Sequence, residues 1–181
     1  LLRQAIDWPD PVLFVESKTG YADRLIAALA GYDLAEIADA AAPFPTATLL
    51  PRGRIDGLLM CYGGLTAMAV EAMTHLRERE QLNFGLVAPA QLSPMPVSHL
   101  DAVLRDRDLA AIVTVEDGAP AAGWGAEMVA SLSGLREAQG RPATRYRRVG
   151  ASDSAIPSAR DLEYEMLPQI RDVVAAALDC F

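Results

Sequence analysis

Leu58-Leu-Met-Cys-Tyr62, Gly63-Gly64 and the segment from Leu65 to Leu76 together indicate the architecture of this chain. The first five residues form a short, continuous apolar run, which is typical of a strand buried on both faces. The two glycines then open a helix whose apolar side chains recur at spacings of three, four and seven residues. A buried strand followed at once by an amphipathic helix predicts a parallel sheet covered by helices.

The same alternation continues downstream of this stretch. Apolar runs predict further strands, whereas periodic segments between them predict helices. A strand at 48–55, joined through Asp56-Gly57 as a hairpin turn, is expected to lie antiparallel on an edge. The sequence therefore predicts an α/β fold of three layers (α/β/α) around a five-stranded, mostly parallel sheet with one antiparallel edge strand. Besides the strands at 48–55 and 58–62, the predicted strands are 84–87, 111–115 and 144–149. Besides the helix that begins at Leu65, the predicted helices are 97–105, 123–137 and 168–178.

The residues before position 47 follow a weaker pattern. Pro11-Val-Leu-Phe-Val-Glu16 is another apolar run and predicts a buried strand. Alanine-rich stretches at 25–30 and 34–42 favour one or two short helices, which Pro43 and Pro45 would end. We interpret residues 17–46 as a linker on this basis.

Composition excludes several classes of protein. The chain has 181 residues, of which 51% are hydrophobic, and this share rules out global disorder. The net charge of −8 argues against a phosphate-binding surface for nucleic acid, since such a surface needs many cations. The longest uncharged stretch, 81–100, carries three prolines, so we expect no membrane helix. Two cysteines, Cys61 and Cys180, give no disulfide framework, and a cytoplasmic location is expected.

In a parallel sheet, the loops that follow the strands are the places where ligands and partners bind. Gly123-Trp124-Gly125 opens a helix just after a strand, but Met128 occupies the third glycine position of the dinucleotide fingerprint. Close packing of helix on strand is the plainer interpretation, and phosphate binding at this helix start stays open. Glu116-Asp117-Gly118 either orients a ligand or a facing subunit, or caps the next turn. The loop that begins at Asp153 leaves the same two interpretations open.

Catalytic and metal-binding patterns are weak. His75 is four residues from both Glu71 and Arg79, which predicts an exposed position in a row of charges. His99 lies near the start of the helix predicted at 97–105, where capping or simple exposure would explain it. The histidines and cysteines show none of the short spacings of a zinc site. The basic cluster of Arg145, Arg147 and Arg148 is expected to pair with the chain's own carboxylates or with an acidic patch on another subunit.

Four stretches, in order and spacing, resemble the C-terminal domain of the transketolase family. Within that family they are most similar to the beta subunit of the thiamine-diphosphate-dependent decarboxylating component of 2-oxoacid dehydrogenases of the pyruvate or branched-chain type. Two family positions, an arginine and an aspartate, fall on Ala90 and Pro96, and a family tyrosine falls on Ser158. The four stretches are 10–16; 49–55 with Tyr62-Gly63; 113–118 with 123–127; and 153–159 with 167–169.

The resemblance implies a division of labour. Residues 1–16 would be the tail of a preceding pyrimidine-binding domain, 17–46 a linker, and 47–181 the transketolase C-terminal-like domain. Thiamine diphosphate and magnesium serve the complete enzyme, and the resemblance implies that this chain binds neither. It also implies contacts with an alpha subunit, a second beta subunit and the lipoyl acyltransferase component, and no catalytic role for this chain alone. The interface candidates are Glu116, Asp117, Gly118, Gly123, Trp124, Gly125, Asp153 and Phe181.

A second function hypothesis uses the same fold. The glycine-opened helices would then make the chain a free-standing small-molecule or nucleotide-binding regulatory module. Stabilisation of the protein by a nucleotide would favour this second hypothesis, because a ligand bound only by the native state raises its apparent stability. An independent hydrolase is disfavoured by the placement of the two histidines.

Overall fold

The computed structural model describes residues 1–17, 26, 28–40 and 42–181. Strands and helices alternate from residue 57 onward, as the apolar runs predicted. The strands are β1 (Tyr32–Ile37), β2 (Thr46–Pro51), β3 (Gly57–Met60), β4 (Phe84–Pro89), β5 (Ala111–Val115) and β6 (Arg145–Val149). The helices are α1 (Leu2–Asp7), α2 (Leu65–Glu80), α3 (Val97–Leu104), α4 (Trp124–Ala138), α5 (Arg160–Met166) and α6 (Ile170–Leu178).

One mixed sheet holds the six strands in the order β1-β2-β4-β3-β5-β6. β3 pairs in parallel with β4 and β5, and β5 pairs in parallel with β6. β2 pairs antiparallel with β1 on one side and with β4 on the other. The predicted α/β class with a mostly parallel sheet and one reversed strand is confirmed, with six strands instead of five. The reversed strand, β2, does not lie on the edge, because the unpredicted β1 pairs with its outer side.

The predicted hairpin at Asp56-Gly57 is wrong. β2 does not lie beside β3 but crosses to β4, where Leu49 is opposite Leu86. Asp56 instead ties together the starts of the parallel strands. Its buried carboxylate accepts the N–H of Asn83 at 2.8 Å, and its carbonyl accepts the N–H of Ala110 at 3.1 Å. An aspartate and a glycine in sequence mark a change of direction, but not which strand comes next.

The helix predicted at 34–42 is also wrong. Residues Tyr32 to Ile37 form β1, which pairs along its whole length with β2, from Tyr32 opposite Pro51 to Ile37 opposite Thr46. Alanines there favour a helix, but the open edge of β2 offers a row of hydrogen bonds that outweighs a weak local propensity. The helix predicted at 25–30 falls partly outside the described residues. The division of the chain at positions 16 and 46 stays a prediction.

Helices cover both faces of the sheet. All four residues of β3 are buried, as expected of a central parallel strand. One core layer contains side chains of α2 and α6 against one face, including Met73, Leu76 and Val173. The other layer contains side chains of α3 and α4, including Leu100 and Met128. This arrangement confirms the predicted three layers.

The strand predicted at 11–16 is absent from the described structure. Leu13 is 90% exposed and Val15 is 79% exposed, and α1 buries no residue. No described strand lies beside this segment to pair with its backbone, so an apolar run alone does not make a strand here. Among the described residues, no helix combines the length and the apolarity needed to cross a membrane.

Candidate functional site

The loops that follow β3 and β5 bring a compact set of side chains together at the carboxyl end of the parallel strands. Glu116 and Asp117 come directly after β5, and Tyr62 follows β3. Trp124 is the first residue of α4. We call this set the carboxyl-edge cluster, and it consists of Tyr62, Thr114, Glu116, Asp117, Gly123, Trp124 and Gly125.

Glu116 caps the start of α4. Its side chain is 1% exposed, and its Oε1 accepts the backbone N–H of Gly125 at 3.1 Å. Burial raises the pKa of the Glu116 carboxyl, and hydrogen bonds from the N–H groups of Gly125 and Trp124 oppose that rise. The first N–H groups of a helix have no partner within the helix, so a carboxylate there satisfies donors and complements the helix dipole.

The two glycines make room for this carboxylate. A Cβ at Gly123 would lie 2.4 Å from Oε2 of Glu116 and 2.5 Å from the carbonyl oxygen of Ala119. A Cβ at Gly125 would lie 2.5 Å from Oγ1 of Thr114. The glycines therefore serve close packing between α4 and β5. The carboxylate of Glu116 takes the place that a ligand phosphate would need at this helix start.

Tyr62 links the end of β3 to the loop after β5. Its hydroxyl donates a hydrogen bond to Oδ1 of Asp117 at 2.7 Å, and its ring packs edge-on against Trp124 with centroids 5.1 Å apart. Burial and the hydrogen bond to Asp117 raise the pKa of Tyr62, so the phenol stays protonated and donates. The two strand-end loops are thereby held in one arrangement, with Asp117 itself exposed.

The end of β6 completes this edge. Ala151 donates its N–H to the carbonyl of Gly118 at 2.9 Å, and a Cβ at Gly150 would lie 2.5 Å from the same oxygen. Arg148 donates to the carbonyl of Pro120 at 2.5 Å. The loops after β5 and β6 therefore share backbone contacts and form one continuous surface.

The remaining arginines of β6 pair within the chain. Nε of Arg147 lies 2.6 Å from Oδ2 of Asp179, and Arg145 donates to the carbonyl of Cys180 at 2.6 Å. The first of the two partners expected for this cluster, the chain's own carboxylates, is found for Arg147. These contacts fix the end of the chain against β6.

His99 is placed differently from its predicted role. It is fully buried, its Nδ1 lies 2.9 Å from Oγ1 of Thr46, and its Nε2 lies 3.8 Å from Oδ2 of Asp39. It therefore neither caps α3 nor is exposed, because the antiparallel strands, which were not predicted in this position, cover it. His75 lies on the exposed face of α2, as predicted.

The histidines, cysteines and acidic residues of the described ranges do not group as metal ligands. No group of three or more His, Cys, Asp or Glu side chains in the described ranges could hold a metal ion. Both cysteines are buried, and burial raises the pKa of Cys61 to about 12, which keeps it a protonated, unreactive thiol. The carboxyl-edge cluster shapes and holds loops, with its carboxylates already engaged.

The other interface candidates are exposed. Asp117, Gly118 and Asp153 lie at the surface of the strand-end loops. Phe181 is 53% exposed and packs edge-on against Phe84, with centroids 6.2 Å apart. Its ring is therefore half engaged by the core and half available to solvent.

α5 was missed from the sequence. The segment Asp161-Leu-Glu-Tyr-Glu-Met166 alternates charged and apolar residues with a period of two, which is typical of a strand. As a helix, it buries none of its residues. Leu162 is 55% exposed, Tyr164 is 63% exposed, and Ile156 in the preceding loop is 78% exposed. The signal in the sequence was a set of apolar side chains that fit neither a predicted strand nor a predicted helix of the core. Such a set could have pointed to an exposed apolar surface.

Replacing Glu116 with glutamine tests, through the pH dependence of stability, whether the burial of this carboxylate outweighs the hydrogen bonds it accepts from the start of α4. A carboxyl whose pKa is raised by folding stabilises the protein below its ordinary pKa of 4.5 and loses that contribution as pH rises through the folded value. The amide oxygen of E116Q still accepts from Gly125 but has no charge to desolvate. We expect the free energy of unfolding of E116Q, measured in urea, to rise relative to that of the wild type between pH 4.5 and pH 7, by on the order of 1 kcal/mol or less. A wild type that gains on E116Q over this range would show that the hydrogen bonds at the start of α4 outweigh the burial of the carboxylate.

Comparison with known proteins agrees with the geometry. A family model described as transketolase, C-terminal domain, matches residues 47–173. The pyruvate dehydrogenase E1 component subunit beta of Pisum sativum is 28% identical over 179 residues, which cover 98% of this chain and 46% of that protein. The corresponding subunit of Drosophila melanogaster is 28% identical over 178 residues, with the same coverage of 98% and 46%. The chain thus spans about half the length of the curated relatives it matches.

A solved structure described as a split gene transketolase, inactive beta4 tetramer, has the same fold. It matches with a TM-score of 0.55 at 24% sequence identity, and the match covers 74% of this chain and 41% of that chain. The family model covers residues 47–173, which is most of the sequence, and the chain belongs to the transketolase C-terminal domain family.

Proposed function

We propose that this chain is the C-terminal assembly and docking domain of a beta subunit of a thiamine-diphosphate-dependent 2-oxoacid dehydrogenase of the pyruvate dehydrogenase type. In this role it supports oxidative decarboxylation in the whole enzyme and is not catalytic alone. Its partners are the alpha subunit, a second beta subunit and the lipoyl acyltransferase component. The similarity to pyruvate dehydrogenase E1 beta subunits along nearly the whole chain supports the proposal.

The exposed apolar surface of α5 is the observation that carries the docking role. A helix that buries none of its own residues gains little from the fold that presents it. Leu162 and Tyr164 on α5, together with Ile156, place large apolar side chains in solvent on one segment. Large exposed apolar side chains among charged ones are typical of protein–protein contacts, and here Asp161, Glu163 and Glu165 supply the charge.

The strand-end loops extend this surface. Ser152 donates its N–H to the carbonyl of Met166 at 3.0 Å, which ties the loop of Asp153 to the end of α5. We propose that Asp117, Gly118 and Asp153 contact a partner directly. Glu116 and Gly125 are buried, and Gly123 and Trp124 are partly buried, so these four act by holding the loop in shape. Phe181 offers a half-exposed ring at the other end of β6.

The described residues do not fit a thiamine diphosphate or magnesium site. The N–H groups at the start of α4, which could hold a diphosphate, are engaged by Glu116. The described side chains also offer no cluster of metal ligands. We therefore propose that other parts of the enzyme hold the cofactor and the metal. The expected cytoplasmic location stays a prediction, and the relatives from pea and fly are named as mitochondrial proteins.

The docking role is tested by placing charge on the apolar surface of α5. The double variant L162D/Y164D, co-expressed with the rest of the beta subunit and with the alpha subunit, is expected to assemble at least ~10-fold more weakly, since buried apolar anchors dominate interfaces. Sedimentation velocity and co-purification measure the assembly. V97D is the control for adding a charge at an exposed apolar residue, because Val97 is 46% exposed on α3. Unchanged assembly of the double variant would contradict the docking role of α5.

A second measurement tests the absence of catalysis in this chain. The 181-residue protein, supplied with thiamine diphosphate and magnesium, is assayed for release of carbon dioxide from pyruvate and from branched 2-oxoacids. We expect turnover only after the remainder of the beta subunit and the alpha subunit are added. Turnover by the isolated chain would overturn the proposal.

A further inference from the structure

A pocket of about 230 Å³ lies at the amino edge of the sheet, opposite the carboxyl-edge cluster. It is formed where β2 ends and where β1, β3 and β4 begin. Its volume is below the ~300–1,000 Å³ of sites for drug-sized ligands, which suits a small ligand. Its side chains include Tyr32, Arg52, Arg54, Arg77 and Asn83.

Three guanidinium groups in one small pocket stand out in this chain. The protein has 24 acidic residues against 16 basic ones, yet Arg52, Arg54 and Arg77 line the same space. Two nearby carboxylates, those of Asp33 and Asp56, are paired with Arg52 and Arg54 respectively, each at 2.7 Å. The three cations exceed these two anions, so the pocket carries a local positive charge.

The arginines keep hydrogen-bond donors in reserve. Arg52 uses its Nε toward Asp33, Arg54 its Nη2 toward Asp56, and Arg77 its Nη1 toward the carbonyl of Ala30. A guanidinium has five N–H donors in a planar fork, so each retains further donors beyond these described contacts. Gly53 separates the first two arginines, and a Cβ there would meet nothing within 4 Å, which leaves open space between them.

Tyr32 adds a neutral donor to the pocket. The residue is 6% exposed, and Cζ of Arg77 lies 5.5 Å from the centroid of its ring. Its hydroxyl is buried, and within the part of the chain that the structure describes it has no hydrogen-bond partner. A buried, unpaired hydroxyl is costly and calls for an explanation, which an oxygen-rich ligand would supply. Burial raises the pKa of Tyr32 despite the nearby Arg77, so the phenol keeps its proton to donate.

From this arrangement we propose that the pocket formed by Tyr32, Arg52, Arg54, Arg77 and Asn83 binds a phosphoryl group of a small molecule. Arginine is the residue that matches the oxygens of phosphate in pairs, and several converging guanidinium groups favour a multivalent oxyanion over a single carboxylate. The site lies at the opposite edge of the sheet from α5 and the strand-end loops, so it is separate from that part of the docking surface. It gives this domain a binding activity of its own.

Titration with inorganic phosphate, at constant ionic strength set by sodium chloride, tests the proposal. Backbone amide shifts of the chain should move saturably at residues of the pocket and stay still at the carboxyl-edge cluster. A phosphomonoester such as glycerol phosphate forms the second arm. Tighter binding of the ester identifies a phosphorylated metabolite as the ligand, whereas equal or weaker binding identifies free phosphate. Shifts that chloride reproduces, or that do not saturate, would overturn the proposal.

Two variants separate binding from structure. Y32F is expected to weaken phosphate binding about threefold or more while leaving Tm unchanged or raised, because it removes an unpaired buried hydroxyl. R52Q is expected to weaken binding about tenfold, since a charge-assisted donor is lost. R160Q removes the same charge from exposed Arg160 on α5 and should bind as the wild type does. Wild-type affinity in both Y32F and R52Q would refute the site.

Discussion

Replacing Phe84 with alanine is expected to lower the free energy of unfolding by ~3–5 kcal/mol, the largest effect we expect from a single substitution. Phe84 begins β4 at the centre of the sheet and is fully buried. Its ring fills the space above Gly57, where a Cβ would lie 2.6 Å from Cε1 of the ring. Phe181 packs against its edge. Removing the ring therefore opens a cavity between two parallel strands and the end of the chain, where the backbone cannot easily close it.

Urea unfolding followed by circular dichroism and by tryptophan fluorescence measures this loss, and coincident transitions would justify a two-state treatment. Phe14→Ala is the matched control, since Phe14 is 36% exposed in the segment that follows α1. We expect that control to lose about 1 kcal/mol or less. A loss below about 1 kcal/mol for F84A would show that the ring is not part of the packed core.

The parallel half of the sheet could be predicted because its signals are local. β3 and β5 are continuous apolar runs, and each is followed by a helix start that the sequence marks with glycine. A strand buried on both faces lacks the apolar–polar alternation of a strand with one exposed face. A continuous apolar run therefore identifies a central strand of the sheet. The limits of β5 agree with the prediction at both ends.

The antiparallel half could not be predicted, because it depends on pairing between distant segments. Asp56-Gly57 resembles a hairpin turn, which would place β2 beside β3. Only the position of β4 in the sheet shows that β2 pairs with β4 instead. β1 has a helix-favouring composition, and the open edge of β2 determines its structure instead. Local propensity is a weak prior wherever a neighbouring strand offers a full set of hydrogen bonds.

The candidate site shows the same limit. The sequence indicated that Glu116 lies at a strand end and that glycines open the next helix. It left open whether the carboxylate orients a ligand or a facing subunit, or caps the next turn. The structure shows that Glu116 caps the helix, because its Oε1 lies 3.1 Å from the backbone nitrogen of Gly125, which is a hydrogen-bond distance. His99 became buried because β1 and β2 cover it, and those strands were not predicted in that place.

Replacing Gly125 with alanine is expected to cost about 3 kcal/mol, at the upper end of the usual cost of overpacking. The added Cβ would lie 2.5 Å from Oγ1 of Thr114 and 2.7 Å from Oε1 of Glu116, and both side chains are buried. Neither can move away without breaking the cap on α4 or shifting β5. The loss should therefore appear both in urea unfolding and in faster amide exchange at the first turn of α4.

Gly134→Ala on the same helix gives a control of opposite sign. A Cβ at Gly134 would meet nothing within 4 Å, and the residue is exposed in the interior of α4. Alanine there should stabilise the protein by ~0.5–1 kcal/mol, since glycine in a helix loses more conformational entropy on folding. The same chemical change, nine positions apart on one helix, is thus expected to stabilise at one site and to destabilise at the other. If G125A were as stable as the wild type, α4 would not be seated on β5 through Glu116, and the loop carrying Asp117 would lack the fixed shape that the docking role requires.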